Sequence, residues 1–210
     1  VLSGSAHELE HQQGMAHLLE HVAFMGNSGR QRLAGTGAKT NAYTDFHHTV
    51  FFTSAPTHIS EYARSVHSLP LSLDAMVEVL QTKVGERRLE MERAAVLSET
   101  AVVNKLDYRV EGQILTALHR ENRISRRFPI GKEELIRRWT PHDLQTYHAM
   151  HFRPDNAVLY VVGDVEAGSA EELIRAKFGA LQRDEEALKA LIDAGEYPKH
   201  SVQQLSPHFP

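Results

Sequence analysis

Residues 7–21 read HELEHQQGMAHLLEH and carry His7, His11, His17 and His21. Imidazole is the commonest protein ligand for transition metals. Two zinc-binding patterns can be laid on this stretch. One is H-E-x-x-H-x-x-G-x-x-H, through His7, Glu8, His11, Gly14 and His17. The other is the inverted H-x-x-E-H, through His17, Glu20 and His21. His17 belongs to both, so only one can hold. On a helix, residues four apart differ by roughly 40° in azimuth, which stacks His17 and His21 on one face. Glu20 then sits on the adjoining face, placed to take a proton from an attacking water rather than to bind metal. Met15, Leu18, Leu19 and Val22 supply an apolar stripe that would hold such a helix. His7 and His11 have only polar neighbours and no such stripe, so the inverted pattern is preferred.

A catalytic zinc site wants three protein ligands. Glu92, Val96, Glu99, Val103, Leu106 and Val110 recur at 4-3-4-3-4 spacing, the core-facing stripe of a helix. Glutamate is rarely buried unless it is paired or metal-bound. Glu99 is therefore a candidate third ligand, with Glu92 as an outer group that orients a histidine. The alternative is a stripe that rotates to the surface here, leaving both carboxylates solvated.

The elements that must position these groups read as a mixture of helices and strands. Residues 14–25 form a helix stopped by Gly26-Asn27-Ser28-Gly29. Residues 38–55 are rich in Thr, Tyr, Phe and Val and read as two strands with a turn near Asp45. Residues 60–81 read as a helix interrupted at Pro70, and residues 86–120 as one long helix or two in tandem. Thr140-Pro141 is an N-cap and first-turn proline, opening a helix to about His151. Residues 157–162 form an apolar run that predicts a buried strand, and residues 169–181 a further helix. The fold class is α+β, and residues 184–210 read as a helix and a loose tail or linker.

Composition narrows the function. The 210 residues carry a formal net charge of −4, without the basic excess of a nucleic-acid binder. There is no cysteine, which excludes disulfides, thiolate-bound zinc and thiol catalysis. No run of eighteen or more apolar residues predicts a membrane span. His47-His48 are expected to face opposite sides of a strand, and His148 and His151 to lie on a solvated helix face.

His17-Leu-Leu-Glu20-His21, together with GTGAKTNAYTDFHHTVF (35–51), MERAAVLSE (91–99), RRFPIGKEELI (126–136) and HFRPDNAVLYVVGDV (151–165), resembles the M16 metallopeptidases. These include pitrilysin, insulysin and the processing peptidases of organelles; within the family the likeness is to those of the plastid stroma. The resemblance implies a two-layer sandwich of a mostly antiparallel sheet and helices over residues 1–183, with its N-terminal strands truncated. It implies that His17, His21 and Glu99 bind Zn²⁺, that Glu20 is the general base and that Glu92 supports the site. It also implies that Asn41, Ala42, Tyr43 and Thr44 form a strand to which a polypeptide substrate, a precursor or transit peptide, adds as a further strand. A homologous C-terminal half or partner subunit is expected to close over the substrate. The implied location is the plastid stroma, with the mitochondrial matrix or a soluble bacterial setting as alternatives. The competing reading is a fragment or non-catalytic subunit that binds peptide without cleaving it.

Overall fold

The computed structural model describes residues 1–61 and 64–181, with Lys189 and Asp193 beyond them. Apart from those two positions, the helix and tail expected over residues 184–210 lie outside the described residues. The elements run α1 (Met15–Met25), α2 (Ser28–Leu33), β1 (Lys39–Thr44), β2 (Thr49–Ser54), β3 (His58–Glu61), β4 (Arg64–His67) and α3 (Ser68–Leu80). They continue with α4 (Glu86–Val103), α5 (Leu106–Leu118), α6 (Glu133–Ile136), α7 (Pro141–His151) and α8 (Ala167–Phe178). Both sheets are antiparallel pairs, β1 with β2 and β3 with β4, and helices flank them. This is the α+β arrangement the sequence predicts.

Helix α1 lies at the centre. Ala16, Leu18 and Leu19 on it are fully buried, and they pack in one cluster with Val79 of α3, Leu89 and Val96 of α4, Ile136 of α6, and Leu144 and Tyr147 of α7. Burying one such leucine contributes roughly 1.5–3 kcal/mol. Arg93 of α4, itself buried, donates to the carbonyls of Ile136 and Trp139 and so ties α4 to the segment around α6. In the β1–β2 hairpin Thr44 faces Thr49 and Lys39 faces Ser54. The Asp45 carboxylate closes its turn, accepting from the backbone N–H groups of His47 and His48, each at 2.6 Å. His47 and His48 therefore lie in a turn, not on a strand.

Several expectations are corrected. The segment read as one broken helix over 60–81 contains β3, β4 and then α3, which begins at Ser68 and places Pro70 in its first turn, where the missing N–H costs nothing. The 86–120 stretch is two helices, and Leu106 and Val110 of the second are 66% and 43% exposed, so the core-facing stripe ends with α4. His148 and His151 are buried, because α7 turns the stripe Leu144, Tyr147, His148 and His151 inward. Arg127, a residue type usually found on solvated faces, is buried too, with Nε donating to the Glu8 carbonyl at 3.1 Å.

Residues 157–162 form no strand ladder, and Tyr160 and Val162 are 82% and 94% exposed. The Val1 amino group donates to the Thr49 carbonyl at 2.9 Å, while Leu2 N–H donates to the Asn156 carbonyl at 2.9 Å. The first two residues thus sit between the start of β2 and the start of the apolar run. Further along, β2 and the run face each other across a cleft of about 770 Å³ floored by α3 side chains such as Leu73 and Met76. No described residue supplies a strand there, so the run has an apolar sequence without a hydrogen-bonding neighbour.

The inward histidines of α7 make stability pH-dependent. Burial pushes the His151 imidazole down to about 3, helped by the charges of His7 and Arg153, and burial likewise lowers His148. The folded values lie below the unfolded value of about 6.5. The unfolded chain therefore binds the extra protons, and the stabilisation is complete above that pH and lost as pH falls toward the folded values. Urea unfolding at pH 7 and pH 5 should show a loss of about 2 kcal/mol from His151 alone. The loss should shrink in His151→Gln; an unchanged pH dependence in that variant would contradict the assignment.

Candidate metal centre

Two helices build the centre. Helix α1 carries His17, Glu20 and His21, and α4, packed across it, carries Glu92 and Glu99. His17, Glu20 and Glu92 are buried, at 9%, 6% and 5% exposure, while Glu99 lies at the open side. The rings of His17 and His21 stand 4.8 Å apart and nearly perpendicular, as one helical turn of separation requires.

Glu99 Oε2 lies 3.6 Å from His17 Nε2 and 3.5 Å from His21 Nε2. These separations are too long for good hydrogen bonds. They are close to the spacing of roughly 3.3 Å between donors that each lie about 2.0 Å from a tetrahedral zinc ion. One ligand atom from each of the three residues falls within 4.8 Å of the others, the one such group of three among the described residues. The donor set of two imidazoles and a carboxylate suits zinc. The His17 Nδ1 atom is buried without a hydrogen-bond partner, and Nε2 is the ring atom that faces Glu99. Burial, with the neighbouring His21, pushes His17 down to about 4, which keeps it in the neutral form a metal requires.

Glu92 Oε2 lies 3.7 Å from His21 Nδ1 on the side away from Glu99, and its other oxygen accepts from Arg88 at 3.3 Å. Arg88 is a residue the sequence reading missed; its position one helical turn before Glu92 was the available signal. Glu20 accepts from the Thr44 hydroxyl at 3.3 Å, which ties the end of β1 to the centre. Burial pushes the Glu20 carboxyl up to about 7, against the Thr44 hydrogen bond and with the Glu99 charge. That is the range in which a carboxylate exchanges protons near neutrality.

The four β1 residues divide by face. Ala42 and Thr44 are half-buried toward α1, while Asn41 and Tyr43 are exposed. Tyr43 is 50% exposed and so does not pack into the core. Only β2 pairs with β1, leaving its other edge without a strand partner among the described residues. His7 and His11 stand apart from the cluster, in short turns before α1, and the His7 ring lies 6.4 Å from that of His47. The longer motif through His7, Glu8 and His11 does not form.

A candidate His-His-Glu centre split between buried α1 and the inner face of α4, beside a strand edge unpaired among the described residues, defines a metallopeptidase-like domain. Comparison with known families agrees. Residues 1–128 match "Insulinase (Peptidase family M16)", and residues 138–209 match "Peptidase M16 inactive domain". The chain belongs to the M16 peptidase family. It is 48% identical over 164 residues to the chloroplastic stromal processing peptidase of Oryza sativa subsp. japonica, covering 78% of this chain and 13% of that protein. It is 30% identical over 184 residues to the mitochondrial-processing peptidase subunit beta of Bos taurus, covering 84% of this chain and 36% of that protein. The fold matches the periplasmic protease PqqL from Escherichia coli at a TM-score of 0.74 and 22% identity, covering 88% of this chain and 21% of that one. The chain thus spans well under two thirds of each of these relatives.

Substitution separates ligands from supports. His21→Ala and Glu99→Ala should each abolish stoichiometric zinc uptake, measured by metal analysis after dialysis. Glu92→Gln should retain zinc but weaken it about tenfold. Full zinc retention by both alanine variants would remove the centre from consideration.

Proposed function

We propose that this chain supplies the zinc ligands, the general base and the peptide-binding strand of an M16 endopeptidase, and that alone it binds peptide without efficient cleavage. The convergence of His17, His21 and Glu99 beside Glu20 carries the reading. Those three side chains would hold zinc, which when bound would supply a Lewis acid for the scissile carbonyl. Glu20 takes the proton of the attacking water and delivers it to the leaving amine. Its hydrogen bond from Thr44 fixes the carboxylate relative to β1, so a peptide added along that edge presents its backbone beside the base. Glu92, backed by Arg88, holds the His21 ring toward the ligand position.

One observation favours binding over turnover for the isolated chain. The chain spans 13% and 36% of the relatives named above, and the centre itself lies within residues 1–128. A homologous half or partner subunit would then enclose the peptide and complete the stabilisation of the transition state. The resemblance implies precursor or transit peptides as substrate, and relatives named stromal, chloroplastic processing peptidases support a processing role and the plastid stroma as the location.

The test is zinc analysis with cleavage of a precursor peptide, by this chain alone and with a C-terminal M16 half added. Zinc binding in both, with cleavage mainly in the second, is the expected result. Glu20→Gln should keep zinc and lower the cleavage rate by about 10²–10⁴. Unimpaired cleavage by Glu20→Gln would refute the role given to Glu20. Full cleavage by the chain alone would refute the need for a partner.

A further inference from the structure

Glu8 was drawn into the sequence reading as part of a zinc motif that does not form, and the metal centre leaves it unused. Its side chain is nevertheless fully buried. Helix α1 begins after Gly14, whose φ of +100° and lack of a side chain leave the first N–H groups without a local cap. Glu8 fills that role from six residues upstream. Its Oε2 accepts from Gly14 N–H at 2.9 Å and its Oε1 from Ala16 N–H at 2.9 Å. Both oxygens accept from N–H groups, the pattern of an ionised carboxylate, although burial pushes the group up to about 8.

A carboxylate bonded through both oxygens fixes where the helix starts and how it is rotated about its axis. His17 directly follows Ala16, and His21 stands one turn further on. The loop that carries Glu8 is itself held in place. Arg127 donates to the Glu8 carbonyl and pairs with Glu10 at 2.8 Å, and Lys132 N–H donates to the Gln13 carbonyl at 3.1 Å. A Cβ on Gly14 would lie 2.8 Å from Gly131 Cα, so the two segments touch through glycine backbones.

We propose that Glu8 is a positioning residue for the metal centre, setting the start of α1 so that His17 and His21 meet Glu99 at ligand spacing. The inference rests on the zinc reading above. Glutamine at this position keeps the shape but replaces one acceptor with an N–H₂ group that opposes a backbone N–H. Aspartate keeps both acceptors and shortens their reach by one methylene.

The experiment measures zinc affinity and thermal unfolding of the whole chain as wild type, Glu8→Gln, Glu8→Asp and Thr140→Ala. Thr140 caps α7, which carries no metal residue, and reports the effect of losing a helix cap as such. Zinc binding about tenfold weaker in Glu8→Gln, with unchanged affinity in Thr140→Ala, is expected. Wild-type zinc affinity in a folded Glu8→Gln overturns the proposal, whatever its stability. Should Glu8→Gln fail to fold, Glu8→Asp decides: weakened zinc binding supports positioning, and unchanged affinity overturns it. Failure of the wild type to bind zinc would instead refute the metal centre, and this inference with it.

Discussion

Helix α1 is enclosed on nearly every side, and a helix so placed cannot leave a polar group unsatisfied without a cost of about 1–3 kcal/mol for each. Three of its side chains are polar, and they face groups on β1 and α4, although His17 Nδ1 is left without a partner. Glu20 meets Thr44 at the end of β1, His21 meets Glu92 inside α4, and both histidines face Glu99. The packing that buries α1 is therefore the same packing that assembles the centre. Arg93 serves both ends of this arrangement, since the helix that delivers Glu92 and Glu99 is fastened through it to the backbone beside α6.

Much of this was legible in the sequence because the relevant spacings are helical. The i, i+4 relation of His17 and His21 and the i, i+7 relation of Glu92 and Glu99 place each pair on one face whatever the tertiary fold. Glu99 is legible as a carboxylate on an apolar stripe, and the structure brings it to both histidines. The β1–β2 hairpin was legible from β-branched and aromatic residues flanking an Asp turn.

What escaped depended on contacts between distant segments. The reading of α7 misplaced His148 and His151, because polar residue type outweighed their i, i+4 and i, i+7 relation to Leu144. The β3–β4 hairpin was hidden by a helix-like stretch whose proline sits harmlessly at the start of α3. Arg127 looked like a surface cation, yet its guanidinium reaches backbone contributed more than a hundred residues earlier. The missing apolar stripe argues against a metal helix over residues 7–11, yet nothing local shows that Glu8 caps the following helix. Only the fold assigns the first glutamate of HELEH to backbone amides.

The cleft between β2 and residues 157–162 has a colloidal consequence. Phe52 on one wall and Val158, Leu159 and Tyr160 on the other combine apolar side chains with backbone groups that lack ladder partners among the described residues. Strand edges of this kind recruit strands from other molecules when none is supplied from within. At high concentration a surface of this kind favours association between copies of one chain. What occupies one gap beside a two-stranded sheet then bears on how the chain behaves in solution.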